Sequence, residues 1–252
     1  MLCGWVIVLV ALSGCEKGSS TASQPSVAQS APADIGGTWL PDASRAEAWP
    51  ATLPLTPAAR SMMDNYNPSV SDPTTFCMPL GTPRNMLQTE YPLEIVQTAQ
   101  LVLFVVQPNL SNTEVRRIPL DGSPLPKSPD ASWFGTSRGR WEGSTLVVET
   151  IGLRQDALIS GNGLAHSEEL RVIERLSVVK DAEHGKVLLD EIDLSDPKAY
   201  QEPLKTRRFF VWAPPETQLR EGNCVELRWI DKLWGDRMQE HAEARRKAGK
   251  SK

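Results

Sequence analysis

The sequence predicts a mainly β, antiparallel fold, and three observations support this prediction. Short segments rich in β-branched and other apolar residues recur from residue 93 onward. The gaps between them are mostly too short for the crossover helices that parallel strands need. Two of the segments, 133–141 and 145–151, form the pattern of a hairpin in which Gly143 supplies the turn. We therefore expect one antiparallel lipocalin-like barrel, with a β-sandwich as the alternative.

The candidate strands share short apolar or alternating stretches bounded by turn residues. They are 93–98, 101–107, 113–120, 133–141, 145–151, 168–179, 186–194, 206–213 and 224–230. Before them, Thr56-Pro57 is typical of a helix start, with Thr56 as N-cap and Pro57 at the first helical position. After them, residues 231–252 predict a C-terminal helix that ends in a basic tail.

The hairpin also carries a family resemblance. Its string GRWEGSTLVVET, residues 139–150, resembles the GRWEGDTLVVET signature of a family of exported bacterial proteins with no assigned function. Ser144 stands where the family usually has Asp, which changes one turn residue. Further matching pieces are PRNM at 83–86, YPLEIVQ at 91–97, RIPLDG at 117–122, HSEEL at 166–170 and DPKAY at 196–200. The resemblance implies export, but it supplies no chemistry.

The N-terminus has the pattern of an export signal. Residues 1–14 contain an apolar run at 4–12 that is too short for a stable membrane-spanning helix, which needs about 20 residues. The run ends in Leu-Ser-Gly before Cys15, which resembles the lipobox of bacterial lipoproteins. A membrane anchor acylated at Cys15 is therefore expected, although no Lys or Arg precedes the apolar run, and Glu16 favours the outer membrane. An ordinary secretory signal with a chance cysteine is the alternative.

The composition divides the rest of the chain into a tether and one domain. Residues 15–35 are rich in Ser, Ala, Gln, Thr, Gly and Pro, which predicts a flexible tether. Residues 36–230 then form a single β domain. The formal net charge of −4 argues against a nucleic-acid partner, which would require a basic surface.

Cysteine and histidine usage limits the candidate chemistry. In an oxidising compartment Cys77 and Cys224 are expected to form a disulfide, and two separate thiols are the alternative. The three histidines lie far apart in the sequence, and no phosphate-binding loop is present. We therefore expect neither a metal site nor a cofactor.

Two carboxylates fall on apolar faces of predicted strands. Glu174 shares its face with Val172, and Asp190 shares its face with Ile192. A buried carboxylate is unfavourable without a partner, so an inward arginine is expected, and we choose Arg117. These side chains either line a polar spot in a cavity or form a structural ion pair.

Further candidate site residues follow from their positions. His166 lies in the loop before a strand, where an acid–base group could act, although it could also be an exposed loop histidine. The tryptophans Trp133, Trp141 and Trp212 either anchor the core or line an apolar ligand site.

These residues leave three functions open. The leading hypothesis is a membrane-tethered protein of the bacterial cell envelope, on the periplasmic side, that binds a small, partly apolar molecule in its barrel through the tryptophans and Asp190. The second is a cofactor-free hydrolase, lyase or isomerase that uses Glu174, His166 and Arg117. The third is an envelope scaffold that acts through its surface.

Overall fold

The computed structural model describes residues 31–88, 90–107 and 113–219, together with positions 1, 224, 235, 239, 240, 243 and 246. It contains one nine-stranded antiparallel sheet that curls into a nearly closed barrel, so the predicted lipocalin-like architecture is confirmed. The strands are β1 (Gly37–Pro41), β2 (Leu93–Gln97), β3 (Leu101–Val106), β4 (Glu114–Pro119), β5 (Thr136–Glu142), β6 (Thr145–Ile151), β7 (Arg171–Asp181), β8 (Gly185–Ser195) and β9 (Leu204–Trp212).

Neighbouring strands follow the chain order around the barrel. The order is β4-β3-β2-β1-β9-β8-β7-β6-β5, and every paired neighbour is antiparallel. Nine is an odd number, so β4 and β5 must run in the same direction where the two edges of the sheet meet. We call this junction the seam. The segment between β4 and β5 therefore has to return along the whole barrel before β5 begins.

The two ends of the barrel differ in construction. At the hairpin end, short turns join β2 to β3, β5 to β6 and β7 to β8. The turn after β5 is as predicted, because Gly143 has a φ of +63° and only two residues separate the paired Glu142 and Thr145. At the opposite cap end, helical and loop segments cover the barrel, including residues 53–88, 152–170 and 196–203.

Strand β1 is the element that the list of candidate strands lacks. It lies between β2 and β9, and its residue Trp39 is fully buried. The indole Nε1 of Trp39 donates a hydrogen bond of 2.9 Å to the carbonyl oxygen of Ile35, which is also fully buried. The folded domain therefore begins before residue 36, inside the segment predicted to be a tether.

The helical part of the cap follows its capping residues. Helix α1 (Pro57–Asp64) begins where predicted, and the Thr56 side chain accepts a hydrogen bond from Ala59 N. Two further short helices, α2 (Pro68–Ser71) and α3 (Arg84–Leu87), and a 3-10 turn at Pro73–Phe76 follow in the cap, and none of the three was predicted from the sequence. Asn67 and Asp72 act as N-caps before Pro68 and Pro73.

The predicted disulfide is present. The sulfur atoms of Cys77 and Cys224 are 2.11 Å apart, so the cap is covalently joined to the chain that follows β9. Residues 225–230 of the predicted strand and most of the predicted helix at 231–252 lie outside the described residues, although the described positions 235, 239, 240, 243 and 246 are helical. Residues 2–14 of the predicted export signal, and Cys15, also lie outside them. No helix in the described part of the chain is long and apolar enough to cross a membrane.

Candidate functional site

An ion pair occupies the interior of the barrel. Inward positions on β4 and β7 place Arg116 opposite Glu174, and both side chains are almost completely buried. The Nη1 atom of Arg116 donates to Glu174 Oε1 at 2.8 Å, and Nη2 donates to Glu174 Oε2 and to Thr150 Oγ1. The Nε atom donates to Ser137 Oγ at 3.2 Å. One guanidinium therefore connects β4 to β5, β6 and β7 across the seam.

The choice of Arg117 as the inward arginine is wrong. Arg117 is exposed on the outer face, and Arg116 is the partner of Glu174. Alternation in β4 puts Arg116 on the face of Ile118 and Arg117 on the face of Val115. Because each face carries one arginine and one apolar residue, the pattern alone could not identify the buried face.

Asp190 is inward, as its alternation with Leu188 and Ile192 predicts, and it is fully buried. Neither of its carboxyl oxygens has a hydrogen-bond partner within the described structure. Burial raises the pKa of Asp190 well above its ordinary value, and the charge of Glu174 raises it further. The carboxyl group is therefore held in its neutral form over a wider pH range than an exposed aspartate.

Arg208 stands directly opposite Asp190 on the neighbouring strand β9. Its donors are directed elsewhere: Nη1 bonds the Glu47 carbonyl at 2.9 Å and Thr206 Oγ1 at 2.7 Å, while Nε bonds the Leu87 carbonyl at 3.1 Å. Burial lowers the pKa of Arg208. This arginine thus holds two cap segments against the barrel, and sequence reasoning did not select it.

His166 is buried at the cap end, so the alternative of an exposed loop histidine is wrong. Its Nδ1 lies 2.7 Å from the Ser167 carbonyl oxygen, which requires the proton on Nδ1 for a hydrogen bond. Its Nε2 is buried and has no partner among the described residues. Glu174 is fully engaged by Arg116, and no hydrogen bond in the described part of the chain joins it to His166.

The three predicted tryptophans do not meet at one site. Trp133 is half-buried near the cap end, beneath the guanidinium of Arg154 at 4.9 Å from the ring centroid. Trp141 is half-buried against the core on β5. Trp212 lies at the hairpin end, where it contacts Trp39 edge-on at 4.9 Å and lies under Lys186. Each tryptophan therefore contributes to a different part of the barrel.

A groove of about 400 Å³ opens at the cap end. One of its lining residues, Ala165, directly precedes His166 in the sequence. We call it the cap groove. One wall comes from the helical segment and the other from the loop between β6 and β7. Its lining residues are Met62, Asn65, Tyr66, Ser71, Gln155, Asp156, Leu158, Gly163 and Ala165.

Hydrogen bonds fix the helical wall of the cap groove. The Tyr66 hydroxyl donates to Asp72 Oδ2 at 2.8 Å, and Arg84 donates to both oxygens of Asp72 at 2.9 and 2.8 Å. Burial alone would raise the pKa of Asp72, but hydrogen bonds from Arg84 and Thr74 lower it to about 2. The carboxylate stays ionised and holds the tyrosine ring in place.

The opposite wall approaches Tyr66 closely at Gly163. This glycine has a φ of +84°, and a Cβ atom there would lie 2.4 Å from Cγ of Tyr66. On the same wall, Asp156 accepts hydrogen bonds of 2.8 and 2.6 Å from Arg154. The cap groove therefore combines fixed apolar surface with a few polar groups, which is the usual composition of a small-molecule site.

Other polar groups at the cap end are buried as well. Glu114 Oε1 accepts a hydrogen bond of 2.5 Å from Leu80 N, and burial raises the pKa of Glu114 to about 7.

Within the described residues, no group of three or more His, Cys, Asp or Glu side chains could hold a metal ion. No family model matches the chain, and neither a curated protein nor a solved structure matches it.

Proposed function

We propose that this chain is a lipid-anchored protein of the bacterial cell envelope that binds a small, partly apolar molecule on the periplasmic side. The apolar run at 4–12 followed by Cys15 supports the anchor. The Cys77–Cys224 disulfide supports an oxidising compartment, because such bonds persist mainly outside the cytoplasm. The binding function depends on the cap groove.

The observation that carries the binding proposal is the volume and lining of the cap groove. At about 400 Å³ it falls within the range of small-molecule sites, about 300–1,000 Å³. By contrast, a groove of about 510 Å³ outside β7–β9 is lined mainly by charged residues, including Glu191, Asp193 and Arg207. An apolar molecule would gain little from that charged surface.

The lining also indicates the chemistry of the ligand. Met62, Leu158 and Ala165 offer contact to an apolar body. The amides of Asn65 and Gln155 offer both donors and acceptors. Among the described lining residues, Asp156 alone carries a formal charge, and Arg154 already neutralises it. We therefore infer a neutral amphipathic ligand rather than an anion.

A matched pair of variants tests the binding proposal. Met62 lines the cap groove and Val70 does not, yet both are 55% exposed, so Met62→Glu and Val70→Glu should fold equally well. The purified protein is incubated with a bacterial lipid and metabolite extract, and bound molecules are detected by native mass spectrometry. We expect a bound molecule on the wild type and on Val70→Glu, with at least tenfold less on Met62→Glu.

Two results would contradict the proposal. One is a wild-type protein that carries no molecule after incubation. The other is equal loading of the Met62→Glu and Val70→Glu variants, which would place the bound molecule outside the cap groove.

A second candidate function is catalysis by His166. The observation that favours it is the Nε2 atom of His166, which is buried and has no hydrogen-bond partner in the described structure. His166 directly follows Ala165, which lines the cap groove. A hydrolase, lyase or isomerase would lose turnover in His166→Gln while its unfolding midpoint stayed within a few degrees of the wild type. Retained turnover in that variant would exclude this role.

A further inference from the structure

The outer wall of the barrel carries an apolar surface on β2, β3 and β4. Val96 and Val115 are 43% and 47% exposed, and the outward side chains of β3 between them are half-buried. Val96 pairs with Leu103, and Val115 pairs with Val105, so the side chains form one continuous surface. We call it the aliphatic face; it comprises Val96, Leu101, Leu103, Val105 and Val115.

The opposite part of the outer wall is charged. On β7, β8 and β9 the outward residues Arg175, Glu191 and Arg207 are cross-strand neighbours, and so are Asp193 and Lys205. Arg207 Nε lies 3.1 Å from Glu191 Oε1, and Arg175 Nη1 lies 3.4 Å from Asp193 Oδ2. The barrel wall therefore has one densely charged side and one mainly aliphatic side, in which the charged outward neighbours are Glu94, opposite Val105, and Arg117, opposite Leu103.

Strand β3 shows this asymmetry in its sequence. Its residues LVLFVV are apolar at outward as well as inward positions. A continuous apolar run is typical of strands covered on both faces, whereas a strand with one face in water alternates. The composition of β3 therefore indicates that the aliphatic face is covered in the working protein.

The path of the chain indicates what covers it. The described chain resumes at residue 31 beside the end of β2, where Gln97 Nε2 donates to the Ala33 carbonyl at 3.0 Å and Ile35 N donates to Gln97 Oε1 at 2.9 Å. Gln97 is the residue after Val96. The segment that carries Cys15 therefore joins the domain directly beside the aliphatic face.

We propose that the aliphatic face rests on the surface of the lipid bilayer that holds the anchor. This inference depends on the proposed acylation of Cys15. Anchoring confines the domain near the membrane, so weak apolar contact is sufficient to orient it. Arg117, which pairs with Leu103 on the edge strand β4, is exposed and can reach lipid phosphates.

A protein partner fits this surface less well. Stable protein interfaces bury about 800 Å² on each partner and use roughly 20–30 residues a side. The aliphatic face offers five residues on one side of a curved wall. A second copy of the chain would therefore gain too little buried area to form a lasting dimer through it.

Lipid-quenching fluorescence tests the proposal on full-length protein purified from membranes. Val96→Cys and Arg207→Cys each provide a labelling site on an outward position, one on the aliphatic face and one on the charged face. Each is labelled with bimane and reconstituted into phosphatidylethanolamine and phosphatidylglycerol vesicles containing brominated lipid. We expect at least twofold quenching at position 96 and none at position 207.

The remaining outcomes separate the proposed lipid anchor at Cys15 from the proposed docking of the aliphatic face. If mass spectrometry shows acylated Cys15 and the protein floats with vesicles, yet position 96 is not quenched, the docking proposal is overturned and the anchor stands. Equal quenching at both positions also overturns docking, because the domain then has no preferred face. If Cys15 is not acylated, the anchor fails and the docking proposal fails with it. A stable dimer in detergent that Val96→Glu abolishes would assign the face to a second copy.

Discussion

At the scale of single residues, the Arg116–Glu174 pair determines how the seam is held together. The pair is buried, and Arg116 also reaches side chains on β5 and β6. An ion pair removed from water gains little over apolar packing, because desolvation opposes the attraction between the charges. Its contribution is therefore directional: the hydrogen bonds fix which edges of the sheet meet.

Removal of one member of this pair should be strongly destabilising. Arg116→Met leaves the Glu174 carboxylate buried without its partner, and we expect a loss of about 3–5 kcal/mol in the free energy of unfolding. The double variant Arg116→Met, Glu174→Leu should recover most of that loss. Urea unfolding measures both. The exposed neighbour gives the control: Arg117→Met should change stability by less than about 0.5 kcal/mol.

Glu114 should make stability depend on pH. Its pKa is raised from 4.5 to about 7, so the folded state holds the proton more tightly than the unfolded state. The free energy of unfolding should therefore fall as pH rises from 4.5 through 7, by about 3 kcal/mol if the shift is fully expressed. Asp190, whose pKa is also raised, adds to the same slope.

Glu114→Gln tests this slope, because glutamine stays neutral and can still accept the hydrogen bond from Leu80 N. At pH 8 the variant should be more stable than the wild type, and at pH 5 the two should be similar. Urea unfolding at both pH values measures the difference. The exposed Glu202→Gln is the control and should keep the wild-type slope. An unchanged slope in Glu114→Gln would contradict the assignment.

The sequence identified the inward carboxylates but not all of their surroundings. Glu174 and Asp190 follow from simple alternation, since each lies between strongly apolar residues on a long strand. Arg116 did not follow, because both faces of β4 contain an arginine. Arg208 and Asp72 were not found either, since their partners come from cap segments distant in the sequence.

At the scale of elements, the cap is held by the disulfide at Cys77. Cys77 and Cys224 are 147 residues apart, so the bond closes a long loop in the unfolded chain. The loop-entropy model gives a stabilisation of about 5 kcal/mol for a loop of this length. The capping residues Thr56, Asn67 and Asp72 act locally, whereas the disulfide acts across the whole domain.

Reduction of this disulfide should lower the free energy of unfolding of the domain. We expect dithiothreitol to reduce the free energy of unfolding by roughly 3–5 kcal/mol, because the reduced unfolded chain gains conformational entropy. Comparison of urea unfolding for the oxidised and reduced protein measures the change. The double variant Cys77→Ala, Cys224→Ala should match the reduced wild type. An unfolding midpoint unaffected by reduction would contradict the prediction.

The strands could be predicted better than the cap. Eight of the candidate strands correspond to β2–β9, because their apolar and alternating patterns are local signals. Strand β1 was not among the candidates, because its short sequence Gly-Thr-Trp-Leu-Pro contains no alternation to detect. In the cap, only α1 was predicted, from Thr56 and Pro57, although Asn67-Pro68 and Asp72-Pro73 give the same local signal for the helical turns that follow them.

At the scale of the whole molecule, the antiparallel barrel follows from the short gaps between strands, but its closure does not. Because all paired neighbours are antiparallel, nine strands leave the two edge strands, β4 and β5, running in the same direction at the seam. Strand β1, which was not among the candidate strands, brings the number from eight to nine. The position of the cap groove depends in turn on which segments cover the cap end. The groove was therefore not predictable, and its lining contains none of the tryptophans, nor Asp190, that were predicted to bind a ligand.

The position of β1 between β9 and β2 also affects where the polypeptide could begin. Strand β1 begins beside the point where β9 ends, at the hairpin end, and Ala213 N donates there to the Thr38 carbonyl at 3.0 Å. A circular permutant that joined β9 to β1 with a short linker and opened between β4 and β5 would trace a plain meander from β5 to β4. Every paired strand would then adjoin its neighbour in the gene, which lowers contact order and should speed folding.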